Sequence, residues 1–168
     1  MRSISSNGMK NDSKFLNFTE DNKYSSSLNF AFYLTGLIEG DGTIIVPKTI
    51  RSKKGKLNYP SIQIVFNIKD LALALLIQKE LNHGSIYKKK GVNAYIYTIN
   101  NIEGLLLIVS LINGKMKTPK IYALYMLIDW LNFKFNDLNI TKKGLNTDSL
   151  VKNPWLSGLI DSDGHFYV

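Results

Sequence analysis

Two nonapeptides that agree in kind at every position bracket most of this chain. Leu34-Thr35-Gly36-Leu37-Ile38-Glu39-Gly40-Asp41-Gly42 returns as Leu156-Ser157-Gly158-Leu159-Ile160-Asp161-Ser162-Asp163-Gly164. An aromatic, Tyr33 or Trp155, precedes each copy, and a short apolar run follows. A repeat constrains the fold strongly, because both copies must meet the same packing demand. The small residues Thr35, Gly36, Ser157 and Gly158 allow two such helices to meet backbone to backbone, with Leu and Ile side chains forming the ridges. Packed about a pseudo-twofold axis, they bring Asp41 and Asp163 side by side at one edge. Gly40-Asp41-Gly42 reads as the stop to the first helix, since glycine supplies turn conformations that a side chain resists.

Composition narrows the chemistry. The 168 residues are 45% apolar, enough to bury a real core. With no cysteine, disulfides, zinc knuckles and thiol catalysis are excluded, and two histidines argue against a Ser/His/Asp triad. A net charge of +8 and a pI near 9.5 favour an anionic partner. No apolar run is long enough to span a bilayer, and the N-terminus lacks the apolar core of a signal peptide. No membrane partner is expected.

Residues 1–27 are polar and without period, and are expected to form a flexible lead-in or a junction with an upstream segment. Phe30 to Glu39 is predicted helical, Thr43 to Val46 a strand, and residues 48–59 a loop bearing Arg51, Lys53, Lys54 and Lys56. Residues 60–68 alternate, with Ile62, Ile64 and Phe66 on one face and Ser61, Gln63 and Val65 on the other. A helix over 70–81, with Leu71, Leu75, Ile77 and Leu81 mostly inward, precedes a second hairpin over 85–100. Helices over 102–112 and 119–135 follow, the latter expected to be the longest. Residues 136–153 form a polar connector, and 154–168 begin the second copy. Hairpins separated by helices predict an α+β fold, an antiparallel sheet with helices on one face. Tyr87, Lys89, Tyr95 and Tyr97 cannot be divided between the faces, because apolar side chains occur on both sides of that hairpin.

Two converging carboxylates in a basic protein suggest a divalent-metal site for phosphodiester chemistry, since Mg²⁺ favours carboxylate and water oxygens. Asp41 and Asp163 are the expected ligands. Glu39 and Asp161, the first acid of each copy, are expected to accept backbone N–H bonds from the partner helix.

The nonapeptides resemble the LAGLIDADG motif of homing endonucleases, and residues 28–135 resemble one αββαββα unit of that family. Gln63-Ile64-Val65-Phe66-Asn67-Ile68-Lys69-Asp70 is similar to its second strand leading into a helix, and Gly84-Ser85-Ile86-Tyr87 to its third strand. Asn113-Gly114-Lys115-Met116-Lys117-Thr118-Pro119-Lys120 is similar to its lysine-bearing link. The resemblance implies a site-specific endonuclease that cuts both strands of double-stranded DNA. A saddle-shaped sheet would lie in the major groove, with Asp41 and Asp163 as metal ligands and Mg²⁺ or another divalent cation as cofactor. The family's active-site lysine falls on Lys117, or on Lys120, which is otherwise a phosphate-positioning charge. Ser61 and Gln63 are candidates for base contacts, and Arg51, Lys53, Lys54 and Lys56 for phosphates.

In two-motif members a full sheet follows each helix. Here the second copy continues only through His165-Phe166-Tyr167-Val168. The expectation is a chain with one intact unit and the interface helix of a truncated second, with little double-strand cutting alone. A missing unit supplied in cis or in trans would restore cutting. Alternatives are a homodimer through the Leu34–Gly42 helix, an RNA-binding maturase that assists intron splicing, and an inactive remnant. The Asn-, Ile-, Lys- and Tyr-rich composition fits an AT-rich gene, and the resemblance implies an organellar intron as its origin, mitochondrial or alternatively plastid.

Overall fold

The computed structural model describes residues 20–162, with side chains from residue 26. Asp163, His165 and the expected strand after them lie outside the described residues. Helix α1 (Glu20–Asp41) has 22 residues and is the longest described, rather than the helix near 119–135. It starts ten residues before Phe30, so the boundary expected at residue 27 falls inside it. No Gly or Pro interrupts residues 20–35, and the modest propensity deficits of Ser and Asn do not stop a helix whose later turns are packed.

Strand β1 (Gly42–Ile45) follows without a loop. The helix ends within Gly40-Asp41-Gly42 as expected, but the reason expected, a glycine turn conformation, is corrected. Neither Gly40 nor Gly42 has a positive φ. Both are needed for space: a Cβ on Gly40 would lie 1.7 Å from Ser162 Oγ, and one on Gly42 would lie 2.6 Å from the Ile38 carbonyl oxygen.

β2 (Ser61–Asn67), β3 (Ser85–Lys88) and β4 (Ala94–Ile99) complete an antiparallel sheet of order β1-β2-β4-β3. Between β2 and β3 lie a short 3₁₀ turn (Ile68–Asp70) and α2 (Leu71–Leu81). α3 (Ile102–Ile112), α4 (Ile121–Lys134) and α5 (Trp155–Ser162) follow β4. The expected α+β architecture is present. On α2, Ala74, Ile77 and Leu81 are the buried positions, whereas Leu75 is exposed. It stands two residues before Ile77, on the opposite side of the helix.

Register divides the sheet faces. Ile44, Ile62 and Ile99 align across three strands and Ile64 and Tyr97 across two, and all five are buried. This side joins Leu34, Leu37 and Ile38 of α1 and the buried stripes of α3 and α4 in one core. The opposite face carries Thr43, Gln63, Thr98 and Ser85, aligned in a polar row across all four strands. Tyr97 and Tyr95 are thus on the core side and Tyr87 on the open side. Residues 136–153 are pinned back along α3 and α4 by asparagine side chains. Asn132 exchanges two bonds with the Ile140 backbone, and Asn113 bonds to Thr141 and Lys143.

Tyr97 yields a pH prediction. Its ring is enclosed in the core and its phenol donates to the His83 carbonyl at 2.5 Å. Burial pushes its pKa up to about 12, from 10.0. The folded state thus favours the neutral phenol, so this stabilisation is complete below pH 10 and is lost as pH rises towards 12. Chemical denaturation from pH 9 to 12 should show a loss roughly 2–3 kcal/mol smaller in Tyr97→Phe than in the unsubstituted chain. An equal loss would contradict the assignment.

Candidate functional site

The site begins with a helix pair. A Cβ on Gly36 would stand 1.9 Å from the Trp155 carbonyl oxygen, and one on Gly158 would stand 2.0 Å from that of Tyr33. These reciprocal distances put α1 and α5 in backbone contact about a pseudo-twofold axis, with Gly36 and Gly158 in equivalent roles. Asp41 closes α1, and Asp161 and Ser162 close α5. Asp41, Asp70 and Asp161 line one cleft of about 190 Å³, together with Asn67, Lys69, Asn93 and Ser162. Among the described residues no cluster of three acidic or histidine side chains is already closed around a metal position.

The first acids behave differently from expectation. Glu39, 7% exposed, accepts from the backbone N–H groups of Lys117 and Thr118, from the Thr118 hydroxyl at 2.6 Å, and from Trp155 Nε1 at 2.6 Å. It therefore fastens the link before α4, and receives an indole rather than a backbone donor from the partner helix. Asp161 accepts the Tyr33 hydroxyl at 2.7 Å, again from a side chain. The reason is polarity: both acids lie near helix C-termini, where the free backbone groups are carbonyls and interior N–H groups are already bonded. Burial, the bond to Asp161 and the nearby Asp161 and Asp70 charges raise the Tyr33 pKa well above the ordinary tyrosine range.

The two candidate lysines have different partners. The Lys117 ammonium donates to the Asn146 and Asp148 carbonyls and sits 5.8 Å from the centre of the Trp155 ring. It ties the connector to the helix pair. The Lys120 ammonium donates to the carbonyls of Ile38 at 3.1 Å, Glu39 at 3.0 Å and Gly42 at 2.5 Å. These groups surround the C-terminal end of α1, where a cation complements the helix dipole. Lys120, the alternative to Lys117 in the resemblance and otherwise a phosphate-positioning charge, stands at the Asp41 end of α1.

Ser61 and Gln63 lie on the open sheet face as expected, and Thr43, Ser85, Thr98 and Tyr87 join them. Sequence reasoning passed over Thr43, Ser85 and Thr98 and left Tyr87 undivided between the faces; alternation counted from an established register places all four. Arg51 bridges to Leu57, and its guanidinium donates to the Gly55 carbonyl at 2.7 Å, so it organises the tip of its own loop. Lys53, Lys54 and Lys56 are exposed on that tip. Lys88, Lys89 and Lys90 are exposed at the opposite end of the sheet, where β3 turns into β4. No described helix is long and apolar enough to cross a membrane.

An open-faced antiparallel sheet set on a pair of interlocked glycine-bearing helices, with acids gathered at the helix ends, defines an α+β protein with a carboxylate site at one edge of its sheet. The chain belongs to the LAGLIDADG endonuclease family, whose sequence model matches residues 34–131. It is 36% identical over 163 residues to the intron-encoded DNA endonuclease aI3 of Saccharomyces cerevisiae, covering 89% of this chain and 39% of that protein. It is 28% identical over 141 residues to the intron-encoded RNA maturase bI4 of the same yeast, covering 83% and 19%. The chain thus spans about two fifths or less of these relatives. Its fold is shared with the LAGLIDADG meganuclease I-AabMI bound to uncleaved DNA, at TM-score 0.53 and 21% identity over 77% of this chain and 56% of that one. It is also shared with I-CvuI in complex with its target in the presence of Ca, at TM-score 0.56 and 15% identity over 66% and 71%.

Proposed function

We propose that this chain binds double-stranded DNA through its open sheet face and contributes Asp41 to metal-dependent phosphodiester cleavage, as part of an intron-encoded homing endonuclease. The observation that carries this reading is the cleft in which Asp41 and Asp161 converge at the end of the helix pair. The carboxylates of Asp41, Asp70 and Asp161 in its lining are oxygen donors of the kind that suits Mg²⁺ or another hard divalent cation; the ligands on this reading are Asp41 and its counterpart in the repeat, Asp163, which lies outside the described residues. Such a cation, when bound, supplies charge neutralisation at the phosphate and a more acidic water. Lys120 brings a positive charge to the same helix end, where it can oppose charge developing on the phosphate. Thr43, Ser61 and Gln63 face the bases, and Lys53, Lys54, Lys56 and Lys88–Lys90 supply phosphate contacts that weaken with salt.

Cutting both strands calls for a second sheet, in cis, in trans or through a homodimer. Ile160 is 55% exposed, whereas its counterpart Ile38 is fully buried against the core. The apolar side of α5 thus has no sheet against it among the described residues. The maturase reading draws support from the bI4 similarity, and intron RNA is the partner it implies. The relatives' intron origin favours a mitochondrial protein.

The test is Mg²⁺-dependent scission of a duplex selected for binding from a random pool, with a second unit supplied. Chelation of the cation should abolish cutting and leave selection intact. Lys120→Met should slow cutting about 100-fold with DNA binding within about twofold. Lys117→Met should lower stability while leaving the rate per folded molecule within about threefold. A rate loss confined to Lys117→Met would reverse the assignment.

A further inference from the structure

The aromatic before each motif is tied to the first acid of the other motif. Tyr33 Oη donates to Asp161 Oδ2 at 2.7 Å, and Trp155 Nε1 donates to Glu39 Oε2 at 2.6 Å. Tyr33 and Trp155 each stand immediately before their nonapeptide, and Glu39 and Asp161 each hold its sixth position. One crossing contact is therefore made twice about the pseudo-twofold axis, with different residues each time.

The difference conserves reach. A phenol O–H lies at the far tip of its ring, and it meets the shorter acid. An indole N–H lies on the flank of its ring, nearer the backbone, and it meets the acid with one more methylene. The gap to be bridged is alike on both sides, because Gly36 and Gly158 bring the two backbones equally close. Long donor with short acceptor, and short donor with long acceptor, both fill it.

We propose that these two pairs form a length-matched code that directs α1 to the second motif of its own chain rather than to α1 of a second copy. If α1 paired with itself, Tyr33 of each copy would face Glu39 of the other, two long groups in a gap sized for one. If α5 paired with itself, Trp155 would face Asp161, and neither would reach. The mixed pair satisfies both contacts. Specificity of this kind comes from the misfit of the wrong pairing as much as from the fit of the right one. The misfit has weight because an indole N–H or carboxylate left unpaired on burial is costly.

The test uses the full chain without DNA and two exchanges of reach. Asp161→Glu and Tyr33→Trp should each lower Tm by about 3 °C and raise the dimer fraction in sedimentation velocity. The double variant, which places a Trp–Glu combination on both sides of the axis, should regain at least half of the summed loss in Tm, while its dimer fraction stays above that of the parent chain because every pairing of the two helices then fits. Trp155→Tyr with Glu39→Asp repeats the exchange at the buried pair, where recovery should be partial because Glu39 also holds Lys117 and Thr118. A purely packing role for the aromatics would give additive losses. Additivity in both exchanges, or single variants indistinguishable from the parent chain in Tm and mass, would overturn the code.

Discussion

Gly36→Val should unfold or separate the helix pair, with a loss of about 3 kcal/mol or more and a fall in Tm of roughly 10 °C. The first new carbon would stand 1.9 Å from the Trp155 carbonyl oxygen, 2.9 Å from the Leu159 nitrogen and 3.0 Å from the Trp155 carbonyl carbon. All three are backbone atoms of α5, so no side-chain rotation can relieve the overlap. The helices must move apart, and that draws Trp155 Nε1 off Glu39 and Tyr33 off Asp161. Glu39 would then be left with a charge close to the core and fewer donors, which adds a desolvation penalty to the steric one. Gly158→Val should do the same through the Tyr33 carbonyl. Gly144→Ala is the control: nothing lies within 4 Å of a Cβ there and its φ is not positive, so its effect should stay within about 0.5 kcal/mol. Thermal unfolding of the three variants separates close helix approach from any general intolerance of glycine replacement.

Much of this arrangement was legible in the sequence for a physical reason. The repeat supplied the same small-residue pattern twice, and close approach of two helices is what such a pattern permits. Alternation in residues 61–67 placed Ile62, Ile64 and Phe66 inward, because a period of two leaves few other choices when one face is buried. The hairpin of Tyr87, Tyr95 and Tyr97 resisted division because aromatic side chains suit either a core or an open sheet face. Its faces follow only from pairing to β2, a long-range fact absent from local pattern. Gly40 and Gly42 looked like turn residues, since sequence cannot distinguish a glycine needed for φ from one needed for room. The places of the two lysines were hidden for a related cause. Lys117 and Lys120 lie three residues apart in one link, and only the path of the connector, which gives Lys117 the Asn146 and Asp148 carbonyls, leaves Lys120 for the end of α1. The partners of Glu39 were likewise hidden, because Thr118 and Trp155 are distant in sequence and meet only after α4 and α5 have packed.

Asp41→Asn should remove DNA cleavage while leaving the fold and DNA binding in place. The substitution keeps the side chain's size and its position at the end of α1, and removes the charge that would hold a hard cation. The central claim is that this end of the helix pair is where phosphodiester chemistry occurs. A bound cation is worth several kcal/mol to such a transition state, so the rate should fall about a thousandfold. Affinity for the selected duplex should stay within about twofold, because Thr43, Ser61 and Gln63 on the open sheet face are untouched. The same variant separates the two readings of the family likeness: splicing assistance by an RNA-binding surface should survive it, whereas cutting should not. The decisive measurement is single-turnover cleavage of the selected duplex in Mg²⁺ by the unsubstituted chain and by the Asp41→Asn variant, each supplied with the same second unit and matched for bound DNA. Our account requires metal-dependent product from the unsubstituted chain and about a thousandfold less from the variant; equal rates at equal occupancy would contradict it.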